Sequence, residues 1–267
     1  MVTKTAGIVL KQRNIGDLDR ILTILTKDSG LIEANIKGIR SVRNNPLSAV
    51  SLFGYYDFSL YCSKYRNIVN SADVLESFFA LRMDVEKFAL AGYFGELLCA
   101  LEPGGEKAAE LLRLILNTLY LLEKGKRSPV FLKSVFELRA VSVAGFMPDF
   151  VGCRHCGAYE GNGMYFFPQK GYILCENCIT PGDGTIRYAL SPALLSAIRH
   201  ILYSELEKLF QFQLSGISLD QLSVLTEYYT LLHTERSFNS LELYKRLLCE
   251  LYPTNLEDQK NKDENFT

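Results

Sequence analysis

Two Cys-x-x-Cys pairs, Cys153 and Cys156 in "VGCRHCG" and Cys175 and Cys178 in "ILCENC", stand with 18 residues between them, and no other feature limits the fold as sharply. The intervening "GMYFFPQKGYIL" consists of two apolar strand-like runs joined at "PQKG", the pattern of a β-hairpin. A hairpin returns its ends to one place, so the four sulfurs are expected to meet. Pairs at this spacing match a closed structural site, with one Zn²⁺ held tetrahedrally by four thiolates and no open position for chemistry. Gly157, directly after the first pair, suits a tight turn that aims backbone N–H groups at sulfur. Arg154, Lys170 and His155 are near enough in sequence to offset the thiolate charge. A thioredoxin-like redox pair would need a βαβ setting. A zinc deaminase would need H-x-E and P-C-x-x-C elements, whereas no Glu follows His155 at that spacing and Leu174 precedes Cys175. The other cysteines, Cys62, Cys99 and Cys249, lie in apolar periodic stretches and read as small buried hydrophobes.

The chain around this insertion has 267 residues, 48% of them hydrophobic, enough for two or three modules. No apolar run approaches the roughly 18 residues of a membrane-spanning helix; the most apolar stretch, "LLRLILNTLYLL", is broken by Arg113 and Asn117. The start, "MVTKTAGIVLKQ", lacks the apolar stretch of a signal peptide, so a cytoplasmic protein with no membrane partner is expected.

Up to about residue 72 the pattern is that of short strands. In "LIEANIKG", Ile32, Ala34 and Ile36 alternate with Leu31, Glu33, Asn35 and Lys37, and in "GYYDFSLYC", Tyr56, Phe58 and Leu60 share the face opposite Tyr55, Asp57, Ser59 and Tyr61. With "TAGIVLKQ", "RILTILT" and "RNIVNSAD" these make five strands, the count of an OB-fold-like barrel. From about Asp84 the period becomes 3.6. Leu111, Leu112, Ile115, Leu119 and Leu122 form one helical stripe, and Phe131, Val135, Leu138 and Val141 another. "EPGGE" and "KGKRSP" divide three helices of about 17 to 19 residues, Ser128-Pro129 and Ser191-Pro192 are N-cap signals, and Ser218 with Gln221 has capping-box spacing. The predicted fold is α+β: an OB-fold-like barrel over 1–80, a helical domain over 81–148 and 185–252 interrupted by a zinc ribbon over 149–184, and a polar disordered tail over 253–267.

Net charge is -1, but residues 1–45 carry a local excess of +4 while the last 18 residues are acidic. Such asymmetry points to an anionic partner for the amino-terminal end. "KGIRSVR" holds Lys37, Arg40 and Arg43 with no acid among them, just after a strand. Basic barrel loops contact phosphates, and Tyr55 and Tyr61, opposite the core face of their strand, can stack on unpaired bases. Catalysis finds no support. "EPGGEK" lacks phosphate-loop spacing, His200 and His233 lie in apolar helical stretches, and Asp17 and Asp19 in "GDLDR" read as a solvated turn. Neither an enzyme nor a small-molecule substrate is expected.

The order of motifs is itself informative. "GIVLKQRNIGDLDRILTILTKDSGLIEANIKGIR", then "AGYFGELL", then "CRHCG" and "CENC" inside a helical region, then "HTERSFNSLELY", resemble the bacterial RecO family of DNA repair proteins over about residues 5 to 250. The resemblance implies a recombination mediator that binds single- and double-stranded DNA and anneals complementary strands. It also implies engagement of the acidic C-terminal tail of single-strand DNA-binding protein, and work with RecR to load recombinase at the nucleoid. Carried onto matching positions, it makes Arg13, Arg20, Lys37 and Arg40 DNA contacts and gives the zinc to Cys153, Cys156, Cys175 and Cys178. The chain departs from the family where Asn44 follows Arg43 and where "HTERSFNS" keeps only Arg236 and adds Glu235; both thin the positive surface. The alternative is a zinc-stabilised adaptor whose barrel docks a protein, with DNA contact indirect.

Overall fold

A computed structural model of the chain describes residues 1–251 apart from 17–18, 38–45, 65, 162 and 181–183. Arg40, Arg43, Asp17 and the tail predicted to be disordered therefore lie outside the described residues. Two compact units emerge, one of residues 1–100 and 237–267, the other of residues 101–236.

The first unit contains a closed barrel of five strands in the order β1-β2-β3-β5-β4, with β1 at Val2–Ile15, β2 at Asp19–Thr26, β3 at Gly30–Ile36, β4 at Tyr55–Cys62 and β5 at Asn67–Glu76. Strand β1 closes it by serving two ladders. Its residues 2–8 pair with β4 and its residues 7–15 with β2, and the register slips between Val9 and Lys11; such a bulge bends and twists a strand that must turn a barrel corner. Closure is completed by the parallel pairing of β3 with β5. The alternation read from the sequence holds: Tyr56, Phe58 and Leu60 join Val9, Leu22, Ile24, Ala34, Ile36, Val50 and Val69 in the core. The same unit includes α1 (Val85–Leu101) and α6 (Asn239–Leu251). Helix α1 comes close to β1 because Gly95 has no side chain; a Cβ there would lie 3.2 Å from the Leu10 carbonyl oxygen. Glu96 accepts from the Ser240 backbone N–H at 3.2 Å, and Tyr93 meets Phe238 edge-on with centroids 5.5 Å apart, tying α6 to α1.

The second unit is built on α2 (Gly105–Glu123), α3 (Pro129–Val141), α4 (Pro192–Tyr203) and α5 (Ile217–Thr234). Ser128 and Ser191 act as the N-caps predicted, accepting from Phe131 N–H at 3.3 Å and Leu194 N–H at 3.2 Å, each with proline at the first helical position. Helix α3 is shorter than expected at 13 residues and runs into a π-turn, Ser142–Phe146, where Gly145 takes φ +120°. It is also buried all round, and not along one stripe: Lys133, Ser134 and Glu137 are as enclosed as Phe131, Val135 and Leu138. The Ser218 and Gln221 capping box does not form, because α5 begins at Ile217 with Gly216 as its N-cap, leaving Ser218 inside the first turn. Between α3 and α4 lies a three-stranded sheet in the order β7-β6-β8, with β6 at Met164–Phe167, β7 at Tyr172–Cys175 and β8 at Tyr188–Leu190. The first two strands are the predicted hairpin. The third, β8, leads the chain into α4.

Candidate metal centre and basic barrel face

The hairpin register places Met164 opposite Cys175 and Phe167 opposite Tyr172, so the cysteines gather at the end away from the turn. Gly157 adopts φ +75° and donates to the Cys153 carbonyl at 2.8 Å, folding the first pair into a knuckle, and Cys175 N–H donates to Cys153 Sγ at 3.3 Å. The Sγ atoms of Cys153, Cys156, Cys175 and Cys178 all lie within 4.8 Å of one another, Cys156 and Cys175 at 3.7 Å, and none is in a disulfide. Four sulfurs about 2.3 Å from a tetrahedral Zn²⁺ would stand about 3.8 Å apart. The donor set therefore has the chemistry and the span of a four-thiolate metal site.

Its electrostatics agree. Burial pushes the Cys153 thiol up, but backbone hydrogen bonds from Cys156, Cys175 and His155 outweigh it and hold the group at about 6. Cys178 is pushed up to about 12, first by its hydrogen bond with Cys175 and then by burial and the other thiols. Four sulfurs this close resist ionising together without a cation, and a dication at their centre reverses that. Of the groups expected to offset their charge, His155 Nδ1 stands 3.6 Å from Cys178 Sγ, while Arg154 pairs with Asp149 at 3.5 Å. Lys170 does not reach the sulfurs: it sits at the hairpin turn, over the Phe167 ring at 5.3 Å. The three remaining cysteines are less buried than read: Cys62 and Cys99 are half-buried and Cys249 is exposed. Helix α6 buries Leu241 and Tyr244, and Cys249, five positions beyond Tyr244, points about 140° away from that stripe.

On the barrel, pairing partners trace one row of outward side chains. Arg13 stands beside Ile21, Ile21 beside Asn35, Asn35 beside Ile68, Ile68 beside Tyr61, and Tyr61 beside Val2. At about 4.8 Å per strand, Arg13 and Tyr61 are about 19 Å apart along this surface. Lys37 is exposed and follows Asn35 on the same alternation; Lys4 is exposed and faces outward beside Ser59. Tyr61 is 45% exposed, whereas Tyr55 is half-buried and its hydroxyl is pushed up, by burial first and Asp57 second. Arg13 lies 3.9 Å from Glu33, both side chains more than 60% exposed, a pair too solvated to fix the guanidinium.

Arg20 behaves differently. It stands opposite Asn14 and the buried Ile36, on the barrel's inner face, and donates to the Val50 carbonyl at 3.2 Å and to Asn14 and Gln12 side chains at 3.4 and 3.5 Å. Its guanidinium is thereby engaged at one end of the barrel. Two further cations, Lys64 and Arg66, lie in the β4–β5 turn, where Ser63 hydrogen-bonds Arg66 through N–H and Oγ. The signal was available, since the loop between the fourth and fifth strands is a nucleic-acid contact in OB-folds.

In the helical unit a cleft of about 690 Å³ is lined by Tyr120, Leu121, Lys126, Arg127, Leu206 and Phe210, among others. Among the described residues no helix is long and apolar enough to cross a membrane.

Comparison with known proteins covers nearly the whole chain. Residues 1–78 match the family described as recombination protein O N terminal, and residues 82–242 match recombination protein O C terminal. The DNA repair protein RecO of Acetivibrio thermocellus is 34% identical over 244 residues, 91% of this chain and 96% of that one. RecO of Symbiobacterium thermophilum is 32% identical over 90% of this chain and 96% of its own length, and that of Alkaliphilus metalliredigens 29% over 92% and 100%.

Proposed function

The chain belongs to the RecO family of DNA repair and recombination proteins, and we propose that within that role it is a mediator which binds single- and double-stranded DNA on its barrel. The observation that carries this reading is the outward row from Arg13 to Tyr61, which sets one cation and an exposed aromatic ring among apolar neighbours on one closed sheet, with Lys37 and Lys4 on the same outer face. A single strand needs that mixture: phosphates pair with Lys and Arg, bases stack on aromatic faces. We assign the contacts to Arg13, Lys37 and Tyr61, with Lys4, Lys64 and Arg66 extending the surface; Arg40 and Arg43, outside the described residues, are added from the sequence alone. Arg20 and Tyr55, more enclosed, shape the barrel beneath.

The proposal extends to annealing of complementary strands, loading of recombinase with RecR and engagement of the acidic tail of single-strand DNA-binding protein, readings that the likeness to the RecO family supports. The cleft with Lys126, Leu121, Leu206 and Phe210 supports the last of these, since it sets a cation, which an acidic peptide requires, beside an apolar floor. Cys153, Cys156, Cys175 and Cys178 would hold one Zn²⁺, whose contribution is to stabilise the ribbon.

The test is fluorescence anisotropy with labelled single strands. Replacing Lys37, Arg40 and Arg43 by alanine should weaken binding and flatten the slope of log K against log salt by about 2, the loss of three phosphate contacts at about 0.7 each. Unchanged affinity and slope would refute the placement. No DNA binding by the intact chain, with retention of a protein partner, would favour the adaptor.

A further inference from the structure

Helix α4 presents two side chains, Arg199 and Tyr203, to the loop that carries the first cysteine pair. Arg199 donates through Nε to the Phe150 carbonyl at 2.8 Å and through Nη2 to the Val151 and Tyr159 carbonyls at 3.2 and 2.6 Å. Its guanidinium lies 3.7 Å from the centroid of the Tyr159 ring, and the residue is 9% exposed. One turn along, the Tyr203 hydroxyl accepts from Phe150 N–H at 3.0 Å. Both backbone polar groups of Phe150 are thus held by α4, and one planar fork joins residues 150 and 151 to residue 159. The segment between is tight: Cys153 N–H donates to the Ala158 carbonyl at 2.8 Å, and a Cβ at Gly152 would lie 3.0 Å from the Gly157 carbonyl oxygen.

A buried guanidinium spent on three carbonyls makes both ends of one loop dependent on a single side chain, and only arginine has the rigid fork for it. That loop bears Cys153 and Cys156. The other pair, Cys175 and Cys178, comes from the end of β7, so the distance between the pairs depends on where the first loop is anchored. We infer that Arg199, assisted by Tyr203, is a positioning residue for the four-cysteine site, setting the first pair against the second so that four sulfurs can close on one ion. The inference rests on reading the cluster as a metal site. Groups that orient ligands in this way typically account for 10- to 100-fold in metal affinity.

The experiment uses the full chain loaded with Zn²⁺ alone, competed against a colorimetric chelator of known affinity, with thermal unfolding followed in parallel. Wild-type chain should retain about one equivalent. Arg199→Gln should bind Zn²⁺ about 10- to 100-fold more weakly, with Arg199→Lys between the two. Tyr203→Phe, which keeps the ring and removes one acceptor, should weaken it about 2- to 10-fold. The control is Arg139→Lys. Arg139 donates to the Ile201 and Leu202 carbonyls of the same helix and to Glu110, so its loss should lower the melting temperature and leave zinc affinity unchanged. If the Arg199 variants behave as this control does, the inference fails; if they do not fold, an unchanged affinity in Tyr203→Phe overturns it. Wild-type chain that holds no zinc would instead overturn the metal reading itself.

Discussion

The buried ion cluster in the helical unit allows a sharp test of what holds that unit together. Lys133 Nζ lies 3.0 Å from Glu137 Oε1 and 2.9 Å from Glu227 Oε2, and Glu137 Oε2 also accepts from Thr226 Oγ1 at 2.8 Å. The Lys133 and Glu137 side chains are 3% and 0% exposed. Burial alone would push the Lys133 ammonium down, but the two carboxylates reverse this and raise it. Replacing Lys133 by methionine keeps the volume and removes the cation, leaving Glu137 enclosed with its main counter-charge gone. Breaking a buried pair from one side costs about 3–5 kcal/mol, far more than the intact pair contributes relative to apolar residues. The pH dependence identifies the mechanism. In the variant the folded-state Glu137 carboxyl would be raised above its unfolded value of about 4.3, so the unfolded chain holds fewer protons above that pH and the penalty grows as pH rises toward the folded value. Hydrogen exchange of α3 and α5 amides, read locally, should show protection lowered by that amount at neutral pH and largely restored near pH 4. A loss under about 1 kcal/mol, or one independent of pH, would refute the assignment of this cluster as a buried, mutually dependent unit.

Other outcomes follow from the same geometry. Tyr61→Ala should weaken single-strand binding by about 1–3 kcal/mol per stacked base while leaving the salt slope unchanged, as measured by anisotropy across a salt series. Lys126→Glu should weaken binding of an acidic peptide, read by calorimetry, by about 1 kcal/mol or more, without altering DNA affinity. Burial pushes the His233 imidazole below its ordinary 6.5, so it stays neutral in the folded chain where the unfolded chain is protonated. Stability should therefore fall as pH drops below about 6.5, with the decline ending once the folded value is passed; a proton NMR titration of the ring that shows a midpoint at or above 6.5 would contradict this.

The legible and illegible parts of the sequence divide by range. Alternation at Tyr56, Phe58 and Leu60 and the Ser-Pro starts of α3 and α4 are written in neighbouring residues, because strand faces and N-caps depend on positions only two or three apart. The hairpin between the cysteine pairs is local in the same way. What eluded the reading depends on partners far along the chain. Lys133 looks like one polar position in an apolar stripe until α5 brings Glu227 to it. Arg199 is an ordinary helical cation until residues 150–159 fold onto it. Arg13 and Arg20 look equivalent in "QRNIGDLDR", yet the register of β1 and β2 turns one outward and the other to the barrel's inner face.

Residue type at fixed spacing is enough to place the chain in its family, to count the five strands of the barrel and to bring four cysteine sulfurs together. That Arg13, Asn35, Ile68 and Tyr61 form one row, that α1 and α6 group with the barrel, and that one arginine joins the ends of the first cysteine loop is visible in the folded chain alone. Those relations are made by strand register and helix packing, which bring together residues separated by tens of positions and leave no periodic trace in the chain.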